Sequence, residues 1–196
     1  MMKWNYKIAL ASQSPRRAYL LKEAEIPFRK VSIDVDEHWP ASLEPDEIPT
    51  FLAEKKANHA LPYINPDEVV LTADSIVISG EKILGKPKDK EEATSMLQSL
   101  SGSTHRVITG VCLMHPSFCE TFDASSIVHM GELSRDEIAF YVDHFKPYDK
   151  AGSYAIQEWI GWCRVQSIEG SFANIMGLPV HSIYEKLKEL DILSWD

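Results

Sequence analysis

The stretch Leu10-Ala11-Ser12-Gln13-Ser14-Pro15-Arg16-Arg17 concentrates two hydroxyls and two guanidinium groups where a strand should turn into a helix. Ser14 suits the N-cap and Pro15 the first helical position. Arg16 and Arg17 then fall in the first turn, where the helix dipole is already positive. Two readings are open: solvated arginines on an ordinary helix, or an anion site in which helix N–H groups and guanidinium forks hold phosphate. Asp74 poses a second conflict, because it interrupts the apolar run from Val69 to Ile78. Burying a carboxylate is costly unless it is paired or metal-bound. It is either a strand-end aspartate bonded to a turn, or a base that activates water with help from desolvation or a metal. The acidic turn Asp34-Val35-Asp36-Glu37 offers hard oxygen ligands. These suit Mg2+ or Mn2+, which use one or two carboxylates plus substrate phosphates. An exposed acidic loop is the alternative, and the stronger one for Asp34 and Asp36. Lys56 and Lys86 each read as surface lysines unless they meet the arginines in one pocket.

Positioning these groups requires a sheet with helices on it. Lys7 to Ser12 reads as a buried first strand, 16–24 as a helix and 28–33 as a second strand. A loop carrying Pro45 precedes a helix over 50–60. Residues 68–79 carry the strongest strand signal, and 90–100 an amphipathic helix with Ala93, Met96, Leu97 and Leu100 on one face. Residues 104–114 and 120–130 alternate like an antiparallel pair with one wet face. Ser134 to Glu137 forms a capping box for a helix through His144. Residues 159–168 read as another strand, and helices are expected over 170–176 and 181–190. Early alternation of helix and strand followed by a hairpin predicts an α/β fold with a central mixed sheet flanked by helices.

At 196 residues, 44% hydrophobic and 25% charged, the chain reads as one globular domain over 1–196. A net charge of −9 argues against nucleic acid or an anionic membrane as partner. A small anionic substrate would need a local basic pocket, helped by a metal ion. Cys112, Cys119 and Cys163 show no CxxC pairing, which favours reduced thiols in a cytoplasmic setting. No signal pattern and no membrane-length apolar run is visible. The histidines show no HExxH spacing, and His105 reads as structural. Rossmann and Walker glycine patterns are absent, which disfavours dinucleotide and P-loop chemistry.

Taken in order, these segments resemble the Maf, or septum-formation, family of nucleoside triphosphate pyrophosphatases. Ser12 to Arg17 resembles its SxSPRR signature, and Asp34 to Glu37 its acidic turn. Leu52-Ala53-Glu54-Lys55-Lys56-Ala57 is similar to its LAxxKA helix. Thr72-Ala73-Asp74-Ser75-Ile76-Val77 resembles its (G/T)ADTIV strand, and Gly85-Lys86-Pro87 its KP turn. Leu100 to His105 and Ser171 to Pro179 match two further segments. Lys150-Ala151-Gly152-Ser153-Tyr154-Ala155-Ile156-Gln157 resembles the KAGxYxIQ segment of the branch acting on thymidine and uridine triphosphates. The motifs are individually weak and jointly specific, and they run along nearly the whole chain.

The resemblance implies a fold like that of the Maf and ITPase proteins. It also implies hydrolysis of dTTP and UTP to monophosphate and pyrophosphate, with a divalent cation, Mg2+ or Mn2+. Asp74 matches the family's base. Ser12, Ser14, Arg16, Arg17, Lys56 and Lys86 would bind the triphosphate, and Glu37 with Asp74 the metal. Arg16, Ser75 and Gln157 correspond to specificity positions. A glutamine carboxamide complements N3–H and O4 of uracil or thymine, but turned over it suits cytosine, so its neighbours must fix it. Ser75 replaces the family's usual threonine, and Glu158-Trp159 its usual Gln-Gly pair, which bears on the base pocket. A homodimer is also implied. Two alternatives remain at this stage: a pyrophosphatase for modified or methylated guanine nucleotides, or a non-catalytic nucleotide-binding regulator of cell division.

Overall fold

The computed structural model describes residues 2–195. In chain order the elements are β1 (Met2–Trp4), β2 (Lys7–Leu10), α1 (Pro15–Glu23), β3 (Phe28–Lys30), α2 (Ile48–Ala60), β4 (Glu68–Ser79), β5 (Lys82–Leu84) and α3 (Lys90–Leu100). There follow β6 (Thr104–His115), β7 (Phe118–Met130), α4 (Arg135–Phe145), α5 (Trp159–Arg164), β8 (Val165–Glu169), α6 (Phe172–Ile175), α7 (Val180–Glu189) and β9 (Leu193–Trp195). β1 pairs with β9, and the other strands take the order β3-β2-β4-β6-β7-β8 with β5 beside β4. β2 runs parallel to β3 and β4, whereas β5 and β8 are antiparallel to their neighbours. The sheet is therefore mixed, as expected. By packing, the chain divides into two compact units, 1–74 with 109–124 and 177–196, and 75–108 with 125–176.

In the first unit β2 is central, with Ile8 opposite Phe28 on one side and Val69 on the other. Its core holds Ala9, Val31, Val70 and Met114 from the strand side against Ala53, Ala57 and Ala60. Those alanines recur at helical spacing, so α2 lies flat on the sheet with little side-chain bulk between. Gly110 marks the closest approach: a Cβ there would meet Thr50 N at 2.2 Å. The second strand stops at Lys30 rather than residue 33, although Val31 N–H still reaches Leu10 O at 2.9 Å. Glu68 starts β4 in an almost dry setting and takes a bidentate pair from Arg29, at 2.5 and 2.6 Å.

In the second unit Val77, Val107 and Val128 form a core against Leu84, Ala151, Val165 and Ile175. α3 is capped by Asp89, which accepts from Glu92 N–H at 2.8 Å, and the Ser134–Glu137 capping box is present at α4. The strand expected over 159–168 is instead α5 followed by β8. Gly161 and Trp162 N–H both turn back to Glu158 O, at 3.0 and 3.2 Å, which closes a helical turn despite the β-favouring composition. His105 is buried, as its structural reading implied, with Nε2 2.7 Å from the Tyr154 hydroxyl.

Acid should lower the stability of this protein over two pH windows. Burial pushes the His105 imidazole down from 6.5 to about 4. The Arg29 hydrogen bond, against the opposing effect of burial, holds the Glu68 carboxyl down from 4.5 to about 2. In each window the unfolded chain binds the proton and the folded chain does not, so stability falls as pH falls. Each shift is worth on the order of 3 kcal/mol. Thermal midpoints are expected to drop first between pH 6.5 and about 4, then between 4.5 and about 2. A His105→Gln variant should lose the first drop and keep the second. Midpoints that stay level through the upper window would show that burial does not govern this histidine.

Candidate functional site

Strand and helix register together create one polar cluster in the first unit. Along β4, Val70, Thr72 and Asp74 project from the same face, by the two-residue alternation of a strand. Thr72 faces α2, since its hydroxyl donates to Ala53 O at 2.6 Å. Asp74 is therefore aimed one step further along the same helix. On α2, Lys56 falls within the stripe of Ala53, Ala57 and Ala60, so its stem is buried and its ammonium must find anions at the stripe's end. It finds two: Lys56 Nζ donates to Asp74 Oδ1 at 2.5 Å and to Glu37 Oε1 at 2.7 Å. Lys56 and Asp74 are only 12% and 13% exposed, so their pairing is little screened by water. Glu37, at 48%, is the solvent-facing member. Of the acidic turn, Glu37 alone joins this cluster in the contacts described. Asp36 pairs instead with His38 and stands 3.8 Å from Lys55, in keeping with an exposed loop.

The cationic helix start lies in the same unit. Ser14 occupies the N-cap of α1, but its side chain makes no capping hydrogen bond. Its N–H goes to Ser12 Oγ at 3.2 Å. Arg16 and Arg17 are half-buried in a first turn that carries no acidic residue. Arg17 donates through Nε to Gly177 O at 2.8 Å and through Nη1 to Ser12 Oγ at 3.4 Å. Burial draws its pKa down, the charges of Asp74 and Glu37 draw it up, and Arg16 adds to the lowering. A guanidinium remains protonated in any such setting. The structure thus brings Ser12, Arg17, Glu37, Lys56 and Asp74 together.

Ser75, Lys86 and Gln157 belong to the second unit. The turn carrying Lys86 is tied down by Gly152 N–H, which donates to Gly85 O at 3.1 Å. Gln157 is half-buried, its main-chain carbonyl accepts from Trp162 Nε1 at 2.9 Å, and its side-chain Oε1 is buried without a hydrogen-bond partner among the described residues. A buried acceptor left empty is costly, and a ligand N–H is one way to fill it.

Among the described residues no group of three or more His, Cys, Asp or Glu is arranged to hold a metal. Two carboxylates on one ammonium are nonetheless the donor set that Mg2+ or Mn2+ takes when phosphate oxygens and water complete its shell. Gly177 lies within the Ser171–Pro179 segment matched in the sequence, but its link to Arg17 runs through a main-chain carbonyl, which no side-chain pattern signals.

The family profile described as Maf-like protein matches residues 7–190. A protein of Porphyromonas gingivalis named dTTP/UTP pyrophosphatase is 49% identical over 187 residues, covering 94% of each chain. A Bacteroides fragilis protein of the same name is 49% identical over 186 residues, covering 94% of this chain and 96% of its own. The structure of a HAM1 protein from Coxiella burnetii superimposes with a TM-score of 0.50 at 16% identity, covering 94% of this chain and 99% of that one, a likeness of fold. By the reach of the profile and the identity to these relatives, the chain belongs to the Maf family.

Proposed function

We propose that this protein hydrolyses dTTP and UTP between the α- and β-phosphates, releasing the nucleoside monophosphate and pyrophosphate. The observation that carries the reading is the Lys56 ammonium held between Asp74 and Glu37, whose charges also act on Arg17, in a chain about half identical to proteins named for this activity. Asp74 takes a proton from a water whose oxygen attacks the α-phosphorus. The P–O bond to the β-phosphate breaks, and its electron pair leaves with pyrophosphate. Lys56 exchanges its carboxylate partners for phosphate oxygens and, with Arg16, Arg17 and Lys86, meets the charge that grows on the leaving group. Ser12 and Ser14 donate hydrogen bonds to the phosphate tail. Arg16, Ser75 and Gln157 select the base. Glu37 and Asp74 would hold a divalent cation, which lowers the pKa of water and neutralises phosphate charge.

Purified protein should release pyrophosphate from dTTP and UTP in a nucleotide panel with Mg2+ or Mn2+. Activity should vanish on chelation and return with metal. Turnover of guanine nucleotides alone would move the protein to another branch of the family, and no turnover of any nucleotide would reject the reading. The proposed setting is the cytoplasm, and the proposed assembly is a homodimer, readable by sedimentation. Among the described residues no helix is long and apolar enough to cross a membrane.

A further inference from the structure

A glutamine reads a pyrimidine only if it is held one way round, and in the second unit Tyr141 ties down the chain on both sides of Gln157. Tyr141, on α4, is completely buried and stacks on Phe145 at 4.9 Å between centroids. Its hydroxyl accepts from Ala155 N–H at 3.1 Å and donates to Glu158 Oε2. One phenol oxygen thus ties the main chain before Gln157 to a side chain immediately after it. Burial, followed by the Glu158 hydrogen bond, pushes the phenol pKa up, so the hydroxyl keeps the proton it donates.

Glu158 is committed to this role. It stands at the N-cap of α5, yet its side chain makes no capping bond. Its second oxygen lies 3.5 Å from Lys150 Nζ, whose side chain is 9% exposed. The indole of Trp162 fixes the Gln157 carbonyl from the other side, at 2.9 Å. The turn has no slack: a Cβ on Gly161 would come within 1.8 Å of Ile156 O. Inside this frame the Gln157 carboxamide oxygen is buried and waits for a donor.

We propose that Tyr141 and Glu158 are positioning residues for base selection, strapping residues 155–158 so that Gln157 presents its carboxamide in the sense that accepts uracil or thymine and rejects cytosine. The inference rests on the pyrophosphatase reading above. It also gives a purpose to the glutamate that replaces the family's usual residue after this glutamine.

The test compares kcat/KM for UTP with that for CTP in the full-length protein. Tyr141→Phe keeps the ring and removes the strap. It is expected to lower the UTP:CTP ratio by about fivefold or more, through a raised KM for UTP with kcat held. Glu158→Ala should do the same. Glu158→Gln still accepts from Tyr141 and should restore the ratio to within about twofold of wild type. Glu158 is partly exposed, so its variants carry the test if Tyr141→Phe does not fold. A scaffold role alone would depress both nucleotides equally, and an unchanged ratio in Tyr141→Phe and Glu158→Ala overturns the proposal. Wild-type protein that hydrolyses neither dTTP nor UTP overturns the activity itself, an outcome visible before any variant is made.

Discussion

Asp74→Asn is expected to lower kcat on UTP by roughly 10³-fold while the protein still folds and binds nucleotide. The reason lies in what asparagine keeps. Its carbonyl oxygen can still accept from Lys56, which now donates to Asp74 Oδ1 at 2.5 Å, so the packing of α2 on β4 survives. What disappears is the ability to take a proton from water and to offer a full negative charge to a cation. Single-turnover rates and calorimetric binding of UTP to the variant separate the two contributions. A variant within about tenfold of wild type would remove Asp74 from the role of base. A variant that neither binds nor melts cooperatively would show that the carboxylate is structural.

The second large effect is expected at Lys56. Replacing it by methionine keeps the stem along the alanine stripe and deletes the ammonium. Asp74 and Glu37 then face each other without the cation that both contact, and the phosphates lose a donor. Loss of one such preorganised group costs roughly 10²- to 10³-fold in kcat/KM. The double variant Lys56→Met/Asp74→Asn should be far less impaired than the product of the single losses, since both changes disable one unit. Fully multiplicative losses would show that the two residues act independently, and the ion pair between them would then be incidental to turnover.

Asp74 stood out in the sequence as a carboxylate inside an apolar strand, whereas Lys56 read as a surface lysine and only the fold sets it on the alanine stripe of α2. Such a violation is legible because β4 is an apolar run buried over most of its length, and the longer helices α3 and α4 likewise bury residues at clear helical spacing. Short elements carry too few residues to show a period. α5 was expected as a strand because Trp159, Ile160 and Trp162 favour one, and only the return of two N–H groups to Glu158 O makes it a helix. The β1–β9 pair, three residues on each side, went unread for the same reason. Contacts made by main-chain carbonyls, such as Gly177 with Arg17, leave no trace in residue type. Nothing in the sequence singled out Tyr141, and only the fold ties its hydroxyl to Ala155 and Glu158.

The bond from Arg17 to Gly177 spans 160 positions of the chain. A ribosome releases Arg17 early and Gly177 almost last, so a nascent chain carries its signature arginine without the carbonyl that orients it. Synthesis order therefore makes this contact one of the last to form: the helix that carries Arg17 is complete long before the carbonyl that receives its guanidinium exists.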